Sequence, residues 1–274
     1  MSSEKQTILK VHEPNTVESM IHGFQSLGIK KGDILIVHSS LSSLGWVSGG
    51  AQAVVEALIK TIGDEGTLVM PTQSGDLSDP MHWGAPAVPR EWWQTIRDTM
   101  PPFDPHLTPT RSMGRIVEVF RTHPDVIRSY HPQHSFAAWG KQQDWMKEHS
   151  LSFGLGPTSP LQKLYDHEAK VLLLGVGFEN NTSFHLAEYM LHKPVEDVSS
   201  APVMIDGKRK WTSFEDVEHY EEWYIELGIA FEKNQPVTTG KVGAATAKLF
   251  HVRNSVDFAK DWLLVKRDMT PREE

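Results

Sequence analysis

Short apolar runs alternate along this chain with segments in which apolar residues recur every three or four positions. The runs at 33–38, 67–70 and 171–176 are continuous and bounded by turn residues, which is typical of strands buried on both faces. Between them, apolar residues at helical spacing predict helices, several of which end at a glycine such as Gly63. The predicted helices cover 17–27, 53–62, 92–96, 113–121, 160–167 and 184–190, with a last one capped by Asn254 or Ser255.

This alternation predicts an α/β fold with a central, mostly buried mixed sheet and flanking helices. The second half of the chain departs from this alternation of strands and helices. Apolar or β-prone runs on both sides of Asp206-Gly207 predict a hairpin over 201–214, and an acidic stretch at 215–226 follows with a helical pattern. We expect a small side subdomain or lid at about 201–234, within one domain over 1–274. The segment 129–139 is predicted to be a loop.

The composition narrows the classes of function. With 35 acidic and 27 basic residues the formal net charge is −8, so the basic surplus that nucleic-acid binding requires is absent. The chain has no cysteine, which excludes disulfides, thiolate metal sites and a cysteine nucleophile. Residues 1–6 lack the apolar core of a signal peptide, and no apolar run approaches the roughly 18 residues of a membrane span. We therefore expect a cytoplasmic protein with no membrane partner.

One pair of polar residues follows the apolar run at 171–176. The polar turn Asn181-Thr182-Ser183 comes first, and a segment of helical pattern then begins. His185 and Glu188 are three positions apart in that segment, so a helix places them on one face. At the carboxyl end of a buried strand, a histidine oriented by a carboxylate is suited to general base catalysis. An ordinary surface pair on a helix is the competing interpretation.

A serine-rich loop lies between the predicted strand at 33–38 and the next helix. It begins His38-Ser39-Ser40-Leu41-Ser42-Ser43 and continues to Gly49-Gly50. Small residues let the backbone approach an anion, and hydroxyl and N–H groups can donate to phosphate oxygens. The loop is neither a P-loop nor a dinucleotide-binding glycine motif, and a flexible Ser/Gly connection is an equal alternative.

A second hydroxyl-rich segment, Thr110-Arg111-Ser112-Met113-Gly114, opens the predicted helix at 113–121, with Ser112 as its cap. The free N–H groups at such a helix start can meet an acyl carbonyl or a phosphate. A capped helix start with no ligand is the alternative.

Acidic residues and histidines suggest two further sites. Asp76, Asp79 and the carboxylates of 215–226 can bind amines if they converge on a cleft, or form a solvated surface if they do not. His131 and His134 have a spacing that metal sites use, but no helix signal surrounds them, and we predict no metal.

Several short motifs occur in order along the chain. They are His38-Ser39-Ser40-Leu41 with Gly49-Gly50; Met70-Pro71-Thr72 with Trp83 and Pro89; Phe103-Asp104-Pro105; Thr108-Pro109-Thr110 with Met113-Gly114; His131-Pro132 with Ser135-Phe136; Gly156 with Ser159-Pro160-Leu161; and Leu174-Gly175-Val176-Gly177 with Asn181-Thr182-Ser183, His185 and Glu188. In order and spacing, the chain from about Val17 to Leu264 resembles the aminoglycoside 3-N-acetyltransferase family of antibiotic N-acetyltransferases.

The resemblance implies acetyl-CoA as donor, N3 of a 2-deoxystreptamine aminoglycoside as acceptor, and a role in antibiotic resistance. It implies that His185 and Glu188 form the catalytic pair. The implied donor-site residues are His38, Ser39, Ser40, Leu41, Ser42, Ser43, Thr110, Ser112 and Met113. The expected acceptor-site residues are Asp76, Asp79, Trp83 and Glu222. Some members of the family act on other amines, so the physiological acceptor stays open, as does the oligomeric state.

These observations predict direct transfer, in which His185 takes a proton as the amine attacks the thioester and Glu188 orients His185. Two other classes of function stay open. One is a hydrolase with a serine near His185, although the chain lacks the G-x-S-x-G motif. The other is a protein that binds CoA or an aminoglycoside without catalysis. Release of free thiol from acetyl-CoA that depends on an aminoglycoside distinguishes the three.

Overall fold

The computed structural model describes residues 3–269 and builds them around one mixed sheet. Its strands are β1 Ile34–Ser39, β2 Thr67–Pro71, β3 Ile127–Arg128, β4 Phe136–Gly140, β5 Lys170–Leu174, β6 Glu196–Ile205, β7 Lys208–Val217, β8 Thr238–Val242 and β9 Ala245–His251. Its α-helices are α1 Ser3–Ile8, α2 Val17–Ser26, α3 Gly50–Ile62, α4 Trp93–Thr99, α5 Gly114–Arg121, α6 Pro160–Asp166, α7 Phe184–Tyr189, α8 Tyr224–Asn234 and α9 Val252–Met269. None of the helices in this range is both long and apolar enough to cross a membrane.

The order of strands in the sheet confirms the predicted α/β class. Among the described residues, seven strands follow the order β3-β4-β2-β1-β5-β9-β8, and β6 pairs with β7 in a separate two-stranded sheet. β1 runs parallel to both β2 and β5, whereas the outer pairings are antiparallel. In the register of β1 on β5, Ser39 lies opposite Leu174, and the Ser40 N–H donates to the Leu174 carbonyl at 3.0 Å. The serine-rich loop and the segment that leads to α7 therefore leave the sheet side by side.

The central strands are apolar on both faces because helices cover both. Leu35 and Val37 of β1 point to one side, where they join a cluster with α2, α3 and α5. Ile36 points to the other side, where α6, α7, α8 and α9 pack. Each fully buried Leu, Ile or Val contributes roughly 1.5–3 kcal/mol, so this double burial holds the two strand ends in fixed positions.

The predicted hairpin forms, but it is longer than expected. Asp206 and Gly207 both adopt positive φ, as a tight two-residue turn requires. β6 and β7 pair over their full length, from Glu196 opposite Val217 to Ile205 opposite Lys208. The hairpin also bonds to the main body, where the Phe103 N–H donates to the Pro202 carbonyl at 3.1 Å.

Three predictions on local structure away from the site are wrong. The segment 129–139 is not all loop, because most of β4 lies in it; β4 pairs with β2, and its small Ala137 and Ala138 give a weak strand pattern. The acidic stretch 215–226 is not one helix, because it divides between β7, a short 3₁₀ turn at Glu221–Trp223 and the start of α8. The last helix begins at Val252, directly after β9, so neither Asn254 nor Ser255 caps it.

Candidate active site

The segment after β5 carries the predicted catalytic pair to the carboxyl edge of the sheet. Gly175 turns the chain with φ of 71°, and a Cβ there would lie 2.4 Å from Cβ of Ser43, so only glycine fits against the serine-rich loop. A 3₁₀ turn at Phe178–Asn180 follows, and α7 begins at Phe184. The start of α7 is anchored by the Ser183 hydroxyl, which donates to Oδ1 of Asn181 at 2.6 Å and lies 2.9 Å from Oγ of Ser255.

His185 and Glu188 are both buried and hydrogen-bonded to each other. Nδ1 of His185 lies 3.0 Å from Oε2 of Glu188. Burial alone would raise the pKa of Glu188, but the charges and hydrogen bonds of His185 and His219 lower that pKa to about 2. The carboxylate is therefore ionised and only accepts hydrogen bonds, so Nδ1 of His185 carries the proton. In the neutral ring, this tautomer leaves Nε2 of His185 as the unprotonated nitrogen.

Four donors hold the Glu188 carboxylate. Besides His185, Nδ1 of His219 lies 2.5 Å from Oε2, the Tyr220 N–H donates to Oε1 at 2.7 Å, and the Tyr224 hydroxyl donates to Oε1 at 2.8 Å. The Tyr224 hydroxyl also lies 2.8 Å from Nδ1 of His185. The donors come from α7, the segment after β7 and the start of α8, so this one carboxylate connects three parts of the chain.

The sequence pattern did not predict His219, which is far from Glu188 along the chain. His219 packs edge-on against His185 with ring centroids 4.6 Å apart. Burial lowers the pKa of His219, but the anions of Glu188 and Asp216 outweigh it, and the net shift is upward. This upward shift of the pKa favours the protonated form of His219 beside the Glu188 carboxylate. The only sequence signal was its place just after a hairpin strand, which gave no reason to select it.

A second polar cluster continues from His219. Asp216 is buried and accepts a hydrogen bond from the Tyr189 hydroxyl, and its Oδ2 lies 3.6 Å from Nε2 of His134. Among the described residues, two sets have ligand atoms within 4.8 Å of one another and could hold a metal ion: His134 with Asp216 and His219, and His185 with Glu188 and His219. Both sets are already arranged as base and carboxylate pairs, so neither needs an ion for charge balance, and the absence of a metal stays a prediction.

Three adjoining cavities meet beside this cluster. A central cavity of about 150 Å³ is lined by His185, Tyr224 and Glu221. A larger cavity of about 760 Å³, here called the donor cavity, lies against the serine-rich loop, and one of about 540 Å³, here called the acceptor cavity, lies towards β6. Ser112 and Met113 line all three. The central cavity shares Ser39 with the donor cavity and Gln73 with the acceptor cavity, so it lies between them.

Most of the predicted donor-site residues gather at the donor cavity. Ser39, Ser40, Leu41, Ser42, Ser112 and Met113 line it. His38 lines the central cavity instead. The Ser43 hydroxyl donates to the Gly175 carbonyl at 2.9 Å, and the Thr110 N–H donates to Oε1 of Glu118 at 2.7 Å, so these two residues are engaged within the protein.

The start of α5 differs from the prediction. Met113 occupies the N-cap position and makes no side-chain cap bond, so the expectation that Ser112 caps this helix is wrong. Ser112 instead has φ of 59°, in the left-handed region, and this turn brings it to the junction of the cavities.

Of the four predicted acceptor-site residues, only Asp79 lines the acceptor cavity. Arg97 binds both carboxylate oxygens of Asp79, at 2.7 and 2.9 Å. Asp76 pairs with Arg111, and the Trp83 indole N–H donates to Oγ of Ser78 at 2.9 Å.

Two adjacent glutamates on the Glu221–Trp223 turn have different surroundings. Glu222 lines none of the three cavities, whereas Oε1 of Glu221 lies 3.4 Å from Nε2 of His185. The Glu221 side chain is nevertheless 71% exposed, so this contact lies at the mouth of the central cavity. The sequence predicted an acidic stretch but not which carboxylate lies beside His185, because no repeating pattern relates the two positions.

Comparison with known proteins identifies the family. Residues 36–264 match the family model described as aminoglycoside 3-N-acetyltransferase. The chain is 49% identical over 255 residues to the SPbeta prophage-derived aminoglycoside N(3')-acetyltransferase-like protein YokD of Bacillus subtilis (strain 168), which covers 92% of this chain and 93% of the relative. It is 32% identical to aminoglycoside N(3)-acetyltransferase IX of Micromonospora chalcea, over 92% of this chain and 95% of the relative.

Solved structures of related proteins have the same fold. The crystal structure of the Bacillus subtilis YokD protein superposes with a TM-score of 0.95 at 47% identity, covering 97% of this chain and 99% of that one. The structure of AAC-IIIb in a binary complex with CoASH superposes with a TM-score of 0.81 at 27% identity, covering 96% of this chain and all of that one. Fold and site together define an acyltransferase. The chain belongs to the aminoglycoside 3-N-acetyltransferase family.

The buried Glu188 predicts a pH-dependent loss of stability. Its pKa is about 2 in the folded protein against 4.5 for the ordinary group, so its contribution is fully present above about pH 4.5 and is lost as pH falls towards 2. We expect Glu188→Gln to lower the free energy of unfolding at pH 7 by about 3 kcal/mol.

Urea unfolding from pH 7 to pH 2.5 measures this difference, which should narrow as the pH falls. Glu56→Gln, which removes an exposed carboxylate paired with Lys60, is the control and should change little. A Glu188→Gln deficit that stays constant across the range would contradict the assigned pKa.

Proposed function

We propose that the protein transfers the acetyl group of acetyl-CoA to N3 of a 2-deoxystreptamine aminoglycoside, by direct transfer with His185 as general base, and so confers resistance. The observation that carries the proposal is the central cavity, which is lined by His185 and lies between the donor and acceptor cavities. Two substrates that enter from opposite sides can meet there without an acyl-enzyme intermediate. We also propose that the chain acts as one acetyltransferase domain, because both helical layers pack on one sheet.

The donor side suits CoA. The loop residues Ser39 to Ser42 present hydroxyl and N–H groups to the donor cavity, and the N-terminal end of α5, with Arg115, lies at its edge. Helix N-termini and cationic side chains both favour the pyrophosphate of CoA. The related AAC-IIIb, which superposes over its whole length, was solved with CoASH. The donor is therefore acetyl-CoA.

The acceptor side suits an amine. Oε1 of Glu221 and the basic Nε2 of His185 are 3.4 Å apart, and two such acceptors repel each other unless a donor serves both. An ammonium group can donate to both at once. Glu221 then holds the cationic amine beside the base that deprotonates it. Asp76 and Asp79 are already neutralised by Arg111 and Arg97, so Glu221 is the carboxylate best suited to this contact.

The transfer step follows from these positions. The bound ammonium group first loses one proton to solvent through Nε2 of His185, which frees the nitrogen lone pair. That lone pair then forms the new C–N bond at the thioester carbonyl carbon, and Nε2 of His185 takes the second proton from the nitrogen. The carbonyl π electrons move to oxygen and return as the C–S bond breaks, and the pair of that bond leaves on sulfur. The imidazolium of His185, stabilised by Glu188, then returns its proton to the thiolate and releases CoASH.

A serine hydrolase fits the site less well. Activation of a serine needs a hydrogen bond to the catalytic histidine. The Ser183 hydroxyl is directed to Asn181 and Ser255, and Oγ of Ser39 has no hydrogen-bond partner among the described residues. Neither serine is bonded to His185, so we favour transfer to an amine over hydrolysis.

The proposed chemistry is tested by free-thiol release from acetyl-CoA, with and without a panel of aminoglycosides. We expect release that depends on the acceptor, and a fall in kcat of roughly 10²–10⁴-fold in His185→Ala, the usual effect of removing a positioned base. Affinity for CoASH should be preserved, because the donor cavity is lined by other residues. Release without any acceptor would indicate a hydrolase, and a His185→Ala enzyme with normal kcat would exclude the general base.

Glu221 and Glu222 provide a matched pair for the acceptor contact. We expect Glu221→Gln to raise the acceptor KM, because a neutral amide binds an ammonium group less strongly than a carboxylate does. The effect should shrink at high ionic strength, where charges are screened. Glu222 is the next residue along the chain and lines none of the three cavities. Glu222→Gln removes the same charge and should leave the acceptor KM nearly unchanged. Equal effects of the two variants would show a general charge effect and refute the specific role of Glu221.

A further inference from the structure

One polar side chain of the central cavity has no partner. His38 lies near the end of β1, where its side chain is buried, with 7% of the residue exposed. Its Nε2 makes no hydrogen bond to any of the described residues. The ring lines the same cavity as His185.

An unpaired buried nitrogen of this kind needs an explanation. Buried polar atoms are almost always hydrogen-bonded, because leaving one unpaired costs free energy. The apolar neighbours Ile36 and Val37 on the same strand show that this position is next to a well-packed core. Oγ of the adjacent Ser39 also lacks a partner, so two unpaired polar atoms occur together at this strand end. A bound substrate is the partner that such a site is built to receive.

The position of His38 identifies which part of the substrate it meets. It is followed directly by Ser39 to Ser42, which line the donor cavity, and it does not line the acceptor cavity. The reacting end of the donor must pass from that loop to His185 in the central cavity. His38 lies along this path, and the group of acetyl-CoA that arrives there is the thioester.

We propose that the imidazole N–H of His38 donates a hydrogen bond to the carbonyl oxygen of the acetyl thioester and stabilises the oxyanion that forms on it. This role rests on the proposed acetyl transfer and assigns the oxyanion site within it. When the amine attacks, the carbonyl π electrons move to oxygen, and the His38 N–H faces that charge. When the C–S bond breaks, the electrons return, and His38 has neither gained nor lost a proton.

The electrostatics of the cavity agree with this assignment. Burial, together with the neighbouring His185, lowers the pKa of His38 to about 3. The ring is therefore neutral at physiological pH. With so low a pKa the His38 ring is a weak base, but its N–H can donate a hydrogen bond to an oxyanion without first binding a proton.

The experiment uses an unreactive donor, the analogue of acetyl-CoA in which a methylene replaces sulfur and the carbonyl is a ketone. Infrared difference spectroscopy with the carbonyl ¹³C-labelled measures the C=O stretch of the analogue bound to the wild type, to His38→Leu and to His38→Gln. We expect a lower frequency in the wild type, a return towards the frequency in water-free solvent in His38→Leu, and partial recovery in His38→Gln, whose amide N–H also donates. The exposed His22 supplies the control His22→Leu, which should match the wild type.

Kinetics and stability complete the test. We expect kcat to fall by roughly 10²–10³-fold in His38→Leu, the effect of removing one oxyanion donor, with the Kd for CoASH changed little. The melting temperature should stay the same or rise, because an unpaired polar group is removed. A structural role for His38 would instead lower it.

The other outcomes distinguish a failure of the His38 contact from a failure of acetyl transfer. A C=O stretch that is the same in the wild type and in His38→Leu overturns the proposal while leaving acetyl transfer intact. Failure of the wild type to bind the analogue or to release thiol overturns the proposed function, and this proposal with it. If His38→Leu does not fold, the ring N–H resonance of His38 in ¹⁵N-histidine-labelled wild type decides: it should move downfield when the analogue binds, and no movement refutes the contact.

Discussion

The buried carboxylate of Glu188 is the interaction on which the site depends. It accepts hydrogen bonds from His185, His219, Tyr220 and Tyr224, which lie up to 36 positions from Glu188 along the chain. A buried anion is costly unless it is fully paired, so these donors must be in place for the fold to be stable. The same four contacts fix the tautomer and orientation of His185. Stability and catalytic geometry are therefore two results of one electrostatic requirement.

The sheet determines what surrounds that carboxylate. β1 and β5 are parallel neighbours, so their carboxyl ends bring the serine-rich loop and α7 to the same edge. Because Gly175 has no side chain, the segment after β5 can lie in contact with Ser43 of the serine-rich loop. The hairpin of β6 and β7 then returns His219 to the other side of Glu188 and closes the acceptor cavity with Ser199 and Ser200. Strand order therefore brings the serine-rich loop and His185 together, and the hairpin, which forms a separate sheet, adds the wall of the acceptor cavity.

Much of this was predictable from local pattern. The strands at 33–38 and 171–176 and the turn at Asp206-Gly207 are encoded in apolar runs and turn residues, and the His185/Glu188 pair in a helical spacing of three. Contacts between residues far apart in the chain were not predictable, because helical or strand periodicity relates only residues within one element. His219 reaches Glu188 through the path of the hairpin, and Glu221 lies beside His185 on the short turn that precedes α8. The strand β4 was missed because it is short and rich in alanine, and its order comes from pairing with β2.

The tautomer of His185 is the most direct test of this account. The ionised Glu188 requires Nδ1 to carry a proton, and the proposed general base requires Nε2 to be the unprotonated nitrogen. The tautomer can be measured by ¹⁵N NMR of histidine-labelled protein at neutral pH, with His185→Ala used to assign the resonances. We predict that Nδ1 of His185 resonates as an N–H and Nε2 as an unprotonated nitrogen. In Glu188→Gln, a mixture of the two tautomers should appear. A wild-type spectrum in which Nε2 of His185 carries the proton and Nδ1 is bare would contradict the account.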